Sequence, residues 1–275
     1  MTAVLATPAS PEFAGVPAAT DPPAGTPPID VRNLTMRYGS LVVMEHLAFA
    51  VKRGEVFVIM GGSGSGKSTL LKHLIGLKAP ASGAVLINGT DFGAADLETR
   101  RDVLSRMGVL YQNGALWSGL TLAENVALPL KEFTTLANDD IDDVVQLKLS
   151  LAGLSGFGTF YPAAISGGMR KRAALARALA LDPGILFFDE PSSGLDPVSA
   201  SRLDDLILEV KASFGTTIVV VSHDLASIDR IADRALFLDI EQKTMTALGN
   251  PAELRAHPPN DAVRRFLTRS SEGTT

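Results

Sequence analysis

The sequence predicts an α/β fold built on a parallel sheet with helices packed against it. Residues 185–188 and 218–221 are continuously apolar, which is typical of strands buried on both faces of a parallel sheet. A helical segment at 201–214 separates these two strands, and strands and helices alternate along much of the chain. The 275 residues, of which 46% are hydrophobic, suffice for one large domain or two small ones.

Composition excludes several classes of function. The formal net charge is -5 and no long block of Lys or Arg occurs, so a general nucleic-acid binder is not expected. The chain has no cysteine, which excludes disulfides, thiolate metal sites and cysteine nucleophiles. No apolar run approaches the ~18 residues that span a bilayer, so any membrane contact is expected to go through a partner.

Residues 1–28 differ from the rest of the chain. They are rich in Pro and Ala, and Glu12 and Asp21 are their only charged side chains. They have neither the positive start of a secretory signal nor the arginines of a transit peptide. We expect a disordered leader, for which a tail without function is the simplest interpretation.

The first half of the globular region is predicted to begin with strands. These cover residues 29–36 and 41–51 and are separated by a turn at Gly39-Ser40. A short apolar strand at 55–60 then runs directly into a Gly-rich loop. The next segments are a helix at 67–77, with an apolar face of Leu70, Leu71, Leu74 and Ile75, a strand at 85–88 and a helix at 97–107.

The second half is predicted to begin with helices. Residues 120–154 have a helical pattern interrupted at Pro129, and a long helix covers 168–181. After the two buried strands, residues 236–239 and 244–248 are expected to form a hairpin at the edge of the sheet. Near the C-terminus an apolar helical stripe is expected to dock on the body of the protein; it consists of Ala262, Val263, Phe266 and Leu267.

The Gly-rich loop predicts a phosphate-binding site. It fits the P-loop pattern between a strand and a helix, and an ordinary flexible turn is the alternative. Glycines let the backbone curl around a polyphosphate, and the helix that follows points its positive end at the anion. Lys67 is predicted to reach the β- and γ-phosphates and the Ser68 hydroxyl to ligate Mg²⁺. The predicted nucleotide-binding residues here are Gly61, Gly62, Ser63, Gly64, Ser65, Gly66, Lys67, Ser68 and Thr69.

Two acids follow the apolar run at 185–188. An acid at the carboxyl end of a buried strand, beside the P-loop strand, is where a second Mg²⁺ contact is expected, and Asp189 occupies that position. Glu190 follows directly and is the candidate to polarise an attacking water. Taken alone, the pair could be two solvated acids at a strand end; together with the P-loop, it favours nucleotide hydrolysis.

Together with Gln112, Ser166-Gly167-Gly168, Asp196 and His223, which occur in the expected order along the chain, these motifs resemble the nucleotide-binding subunits of ABC transporters. The resemblance covers about residues 29–248 and includes a Q-loop glutamine, a signature Ser-Gly-Gly, a D-loop and a switch histidine. It implies a RecA-like P-loop NTPase core with an antiparallel β subdomain and an inserted α-helical subdomain. The implied division is 29–112 for the core with the β subdomain, 113–181 for the helical subdomain, 182–250 for the rest of the core and 251–275 for a C-terminal segment.

The resemblance also implies roles for the added residues and two cofactors, ATP and Mg²⁺. Gln112 is expected to touch Mg²⁺ or the lytic water, and His223 to sense the γ-phosphate. Tyr38 is similar to the aromatic residue that stacks on adenine. The remaining nucleotide contacts implied are Ser166, Gly167, Gly168 and Asp196, of which the Ser-Gly-Gly segment meets the nucleotide of the other subunit in a homodimer. Read without the family, Ser166 is a helix cap and His223 a structural histidine.

The signature departs from the family pattern at Ile165, at Met169 and in the basic run Arg170-Lys171-Arg172. With these residues it resembles the ATPases of MCE-type lipid transport systems, the Mla group, as do residues 112–130 and 258–267. That resemblance implies phospholipid transport, a transmembrane permease in two copies, an MCE-domain substrate-binding protein and a small STAS-type accessory protein. It places the chain at the cytoplasmic face of a bacterial inner membrane, with membrane contact only through the permease.

Three alternatives remain open from the sequence. The chain could energise another class of transporter, for amino acids, metals or lipoproteins. It could be a soluble ABC protein, although those usually carry two cassettes or a long coiled-coil insertion. It could belong to another P-loop class such as the small GTPases, although no Asn-Lys-x-Asp guanine motif occurs.

Overall fold

The computed structural model describes residue 23 and residues 25–268. The predicted leader therefore lies almost entirely outside the described residues. Within them the strands are β1 (Ile29–Tyr38), β2 (Leu41–Val51), β3 (Val56–Gly61), β4 (Ser82–Ile87), β5 (Thr90–Asp91), β6 (Met107–Leu110), β7 (Ile185–Asp189), β8 (Thr217–Val221), β9 (Arg234–Asp239) and β10 (Thr244–Gly249). The α-helices are α1 (Lys67–Leu74), α2 (Leu97–Ser105), α3 (Leu122–Phe133), α4 (Asn138–Leu151), α5 (Gly167–Ala178), α6 (Pro197–Phe214), α7 (Leu225–Ile231), α8 (Pro251–Ala256) and α9 (Asp261–Thr268), with a 3-10 turn at Pro162–Ala164.

The larger sheet is the predicted parallel sheet. Its strand order is β10-β9-β3-β8-β7-β6, and all of its pairs are parallel except β9 with β10. Both faces of β3 are buried: Phe57 and Ile59 pack with α1 and the β1–β2 layer, whereas Val58 and Met60 pack with the layer of α5, α6, α7 and α9. This two-sided burial explains why the central strands are apolar without alternation.

The smaller sheet is antiparallel, with the order β2-β1-β4-β5. Its inner side chains, among them Leu34, Met36 and Leu47, share one apolar cluster with α1 and one face of the large sheet. The hairpin predicted from residues 236–239 and 244–248 forms at the edge of the larger sheet: β9 and β10 pair antiparallel, β10 is the outer strand, and β9 pairs in parallel with β3.

A helical layer of α3, α4 and α5 has its own apolar cluster, which includes Leu122, Val126, Val145 and Ala173. The predicted interruption at Pro129 was wrong, because α3 continues through this proline. A mid-helix proline costs roughly 3 kcal/mol. A capping box between Thr121 and Glu124 and the packing of the apolar face against α4 and α5 offset that cost.

Other boundaries also differ from the sequence prediction: the helix predicted over 67–77 ends at Leu74, and the one predicted over 168–181 ends at Ala178. The helix predicted over 97–107 ends at Ser105, and Met107 begins β6, a strand that the sequence patterns did not show. Helix α6 begins at Pro197 instead of Ser201, because the Asp196 carboxylate caps it and proline is well suited to a first helical turn. In the part of the chain that the structure describes, no helix is both long and apolar enough to cross a bilayer.

Candidate nucleotide-binding site

The predicted P-loop connects the end of β3 to the start of α1. Gly61 has φ 154°, and a Cβ there would lie 2.7 Å from the carbonyl oxygen of Leu238, so a larger residue would strike backbone. Gly66 precedes α1 with φ 83°, and no side chain caps this helix. The first N–H groups of α1 are therefore left to a ligand, and the helix dipole favours an anion there.

Lys67 crosses the mouth of this loop. Its Nζ donates to the carbonyl oxygens of Gly61 at 3.0 Å and Gly62 at 2.9 Å, and the residue is almost fully buried. Burial lowers the pKa of Lys67, while the carboxylates of Glu190 and Asp189 oppose that shift. A cation held beside free helical N–H groups is an arrangement that suits a polyphosphate.

The residues next to the loop fit a magnesium ion. The Ser68 Oγ donates to the Asp189 Oδ1 over 3.1 Å, so a hydroxyl and a carboxylate meet at one point. Within the described residues, no group of three His, Asp or Glu side chains forms a metal cage. Mg²⁺ is usually held by one or two protein oxygens together with substrate phosphates and water, so this donor pair suits it. The Ser65 Oγ is also buried in the loop without a hydrogen-bond partner.

The predicted catalytic pair is in direct contact. His223 Nδ1 lies 2.7 Å from Glu190 Oε1, which joins the ends of β7 and β8. Glu190 has φ 48°, an uncommon conformation for a residue other than glycine, and its backbone N–H donates to the Val221 carbonyl. Gln112 approaches from β6, and its Nε2 donates to Ser193 Oγ at 3.4 Å. Three separate strand ends thus place polar side chains around one space.

That space is a cavity of about 680 Å³, large enough for a nucleotide. The structure brings most of the predicted site residues to its wall. They are Gly61, Gly62, Ser63, Gly64, Ser65, Gly66, Lys67, Ser68, Thr69, Gln112, Glu190 and His223. Asp189 lies behind Ser68 and bonds to it instead of forming part of the wall.

The signature and D-loop residues lie away from this cavity. Ser166 caps α5 through the Met169 N–H at 3.2 Å, and Asp196 caps α6 through the N–H groups of Val198 and Ser199, both at 3.0 Å. Hydrogen bonds from Ser199 lower the pKa of Asp196. A Cβ on Gly168 would lie 3.4 Å from Ser199 Oγ, so the starts of the two helices are neighbours. Ser166, Gly167, Gly168 and Asp196 are absent from the lining of the chain's own cavity.

Tyr38 also lies outside the lining. Its ring is about half exposed, and the Lys78 Nζ lies 3.2 Å from the ring centroid. A hydrogen bond with Thr69 lowers the pKa of the Tyr38 hydroxyl. The ring is therefore tied to the end of the P-loop, with a cation on one face.

Three lining residues were not predicted: Val43, Leu225 and Phe266. Phe266 belongs to the C-terminal apolar stripe, which docks on the body as expected: Val263, Phe266 and Leu267 are buried, and Phe266 meets Phe237 edge-on with ring centroids 5.3 Å apart. The sequence pattern indicated that the C-terminal stripe docks on the body, but not that Phe266 would lie in the wall of the cavity. For Val43 no local signal exists, because the β1–β2 layer reaches the P-loop only in the folded chain.

The fold and this cavity define a nucleotide-hydrolysing cassette, and the comparisons agree. The profile of the ABC transporter family matches residues 44–193. The chain belongs to this family. It is an ATP-binding subunit that hydrolyses ATP in transport.

Similar proteins fall into two groups by name. The chain is 39% identical over 245 residues to the intermembrane phospholipid transport system ATP-binding protein MlaF of Escherichia coli (strain K12), covering 89% of this chain and 90% of that protein. The MlaF of Haemophilus influenzae is 40% identical, with 89% and 92% covered. The probable ribonucleotide transport ATP-binding protein mkl of Mycobacterium leprae is 41% identical over 239 residues, which are 87% of this chain and 68% of that protein. The chain thus spans about two thirds of the mycobacterial relatives.

Solved structures show the same cassette. CbiO1 of Clostridium perfringens, part of the ABC transporter complex cbiONQ, superposes with a TM-score of 0.77 at 26% identity, covering 89% of this chain and 96% of that one. The cassette MJ0796, in a dimeric post-hydrolysis state bound to ADP and Pi, gives 0.73 at 28% identity, covering 81% and 98%.

Proposed function

We propose that this chain hydrolyses Mg-ATP at the cavity described above and powers a membrane permease that moves phospholipid. The observation that carries the ATPase site is the convergence of Lys67, the Ser68–Asp189 pair and the Glu190–His223 pair on one cavity. The lipid assignment is supported by the similarity to the two MlaF proteins, which covers about nine tenths of both partners.

In this proposal each residue has one task. The P-loop N–H groups and Lys67 would bind the β- and γ-phosphates, and Ser68, Asp189 and Gln112 would hold Mg²⁺, which supplies positive charge beside the phosphates when bound. Glu190 accepts a hydrogen bond from the attacking water and orients it in line with the bond to the leaving oxygen. His223, in contact with Glu190, senses the γ-phosphate. Catalysis depends mainly on position and charge, because phosphoryl transfer requires little covalent chemistry from the protein.

A head-to-tail homodimer accounts for the signature and D-loop residues, which do not line the cavity of their own chain. Ser166, Gly167 and Gly168 form the N-terminal turn of α5, and Asp196 begins α6 beside it. Helix N-termini bind anions, and the start of α5 lies outside the lining of the cavity of its own chain. Asp196, whose carboxylate already caps α6, lies beside it. The dimeric state named for MJ0796 supports an arrangement in which they meet the nucleotide of the other subunit.

We infer that the permease binds beside the Q-loop. A groove of about 350 Å³ lies between α2, β6, α3 and α5, and apolar side chains form most of it, including Tyr111, Trp117, Pro129 and Phe133. Trp117 is two-thirds exposed at its rim. A coupling segment of a permease in this groove would contact the loop that carries Gln112, which gives the transporter a route to the hydrolytic site.

The remaining partners follow from the lipid assignment. We infer an MCE-domain substrate-binding protein, a small STAS-type accessory protein and the cytoplasmic face of a bacterial inner membrane. The mycobacterial relatives carry a different name, for ribonucleotide transport, so a nucleotide-transporting complex is the second candidate.

A pulldown from membranes tests the assignment. The full-length chain is purified in mild detergent with its partners, and the proteins and lipids are identified by mass spectrometry. A permease, an MCE-domain protein and bound phospholipid are expected. A permease without an MCE protein or lipid would refute the lipid assignment and leave the ATPase assignment intact. Absence of any membrane protein would refute the role as a transporter subunit of this kind.

A further inference from the structure

Lys171 is a buried lysine that faces the catalytic loop. It lies in α5, five residues after the Ser166 cap, and only 6% of the residue is exposed. Its Nζ donates to the carbonyl oxygens of Glu190 at 3.3 Å, Pro191 at 2.5 Å and Ser193 at 2.6 Å. An ammonium group has three donors, and here each of them meets a backbone carbonyl of one short loop.

The two arginines that flank Lys171 bind other parts of the chain. Arg170 donates to the Ile165 carbonyl at 2.8 Å, and Arg172 donates to the carbonyls of Ala152 and Gly153, both at 2.9 Å. The three residues of the Arg-Lys-Arg run therefore bind three different segments of the chain. Only its central residue binds the loop that carries Glu190.

The contact places a cation in a costly environment. Burial lowers the pKa of Lys171, and the nearby charge of Glu190 opposes the shift. An ammonium removed from water is tolerated only when its donors are satisfied, and hydrogen bonds from a charged donor are stronger than those between neutral groups. The position of the Lys171 ammonium group is therefore fixed by its three hydrogen bonds to the loop.

The loop needs this support because Glu190 has a left-handed backbone. With φ 48°, its conformation is held on several sides: its N–H donates to the Val221 carbonyl, its carboxylate contacts His223, and its carbonyl accepts from Ser193 N–H and from Lys171. Without Lys171, the carbonyls of residues 190, 191 and 193 would lose a common partner in a buried space. The loop would then relax, and the Glu190 carboxylate would move with it.

We propose that Lys171 is a positioning residue for Glu190, and that it ties the helix capped by Ser166 to the catalytic loop. The proposal rests on the role of Glu190 in the proposed function. Ser166 and Lys171 share one helix, so a displacement of α5 when its N-terminus engages nucleotide is passed to the carbonyls of the loop. The lysine thus links engagement of the signature segment to the placement of the water-orienting carboxylate.

The test replaces Lys171 by methionine in the full-length chain, which keeps side-chain length and removes every donor. The matched control is Lys148→Met: Lys148 is also a buried lysine, but it pairs with Asp182 on the helical layer. ATP hydrolysis, ATP binding and thermal unfolding are measured for both. We expect Lys171→Met to lower kcat by about 10²-fold with little change in ATP affinity, the size of effect that a displacement of ~1 Å produces. Lys148→Met should lower thermal stability and keep kcat.

A second variant keeps the test decisive if Lys171→Met does not fold. Lys171→Gln retains two amide donors for the loop but carries no charge, and neutral hydrogen bonds are weaker than those from an ammonium group. Its kcat should therefore lie between those of wild type and Lys171→Met. If the methionine variant is insoluble, the expected kcat of Lys171→Gln is about tenfold below wild type. Wild-type kcat in either Lys171 variant, or a rise in KM with unchanged kcat, would overturn the proposal.

A Glu190→Gln variant separates this proposal from the one on which it rests. If Glu190→Gln hydrolyses ATP normally, the assigned role of Glu190 is wrong. If Glu190→Gln is inactive while Lys171→Met behaves like Lys148→Met, only the positioning role of Lys171 is wrong.

Discussion

Replacing Glu190 by glutamine isolates the charge of the proposed catalytic residue. Glutamine has the same size and backbone demands, so the φ of 48°, the bond from its N–H to Val221 and a contact with His223 at 2.7 Å are all available to it. What disappears is a negative charge on the wall of the cavity, near Lys67. We expect hydrolysis to fall by about 10²–10⁴-fold, the usual contribution of a positioned base, which corresponds to roughly 3–5 kcal/mol of barrier.

Binding should respond in the opposite direction. ATP is a polyanion, so removing a carboxylate from the cavity should leave its affinity unchanged or raise it. Single-turnover hydrolysis and equilibrium ATP binding on the same preparation measure both effects. The matched control is Glu132→Gln, which removes the same charge from an exposed residue paired with Arg101. Hydrolysis within about threefold of wild type in Glu190→Gln, or equal losses in the two variants, would refute the assignment of the base.

Three further changes test other parts of the structure. Gly61→Ala places a Cβ 2.7 Å from a backbone carbonyl of β9. It should lower the free energy of unfolding in denaturant by about 2–4 kcal/mol and also weaken ATP binding. Gly62→Ala, with open space around its Cβ, should change the stability little. Burial raises the pKa of Asp204, so the folded state keeps this proton to higher pH than the unfolded state does. The contribution of this group to the free energy of unfolding therefore falls as the pH rises above the ordinary aspartate pKa. Asp204→Asn should remove that fall when unfolding is compared at pH 4.5 and 7.5. Phe266→Ala removes the ring that packs against Phe237 and should lower the free energy of unfolding by about 3–5 kcal/mol. It should also weaken ATP binding, because Phe266 lines the cavity. An unchanged ATP affinity would count against that role in the cavity wall.

Much of the core was predictable because its signals are local. The apolar runs at β7 and β8 gave buried parallel strands, since neither face of those strands meets water. The order strand, Gly-rich loop, helix placed the P-loop between β3 and α1. Each of these patterns depends on residues that are close together in the sequence, so it could be read without knowledge of the tertiary structure.

The errors arose where packing outweighed a local signal. Pro129 normally ends a helix, but α3 is capped at its start and packed along its apolar face, and it continues. Met107 begins β6, although it follows a helical pattern, because this segment pairs with β7 at the edge of the sheet.

The sequence by itself determined the class of fold, the position of the phosphate loop and the order of the motifs, because each depends on spacing along the chain. Only the tertiary structure decided which distant residues meet. It brought Glu190 to His223, placed Phe266 and Val43 in the wall of the cavity and aimed Lys171 at the catalytic loop. The physical reason is that these contacts depend on how the strands are ordered and how the helices pack, and residues 19 to more than 200 positions apart leave no periodic trace of their meeting.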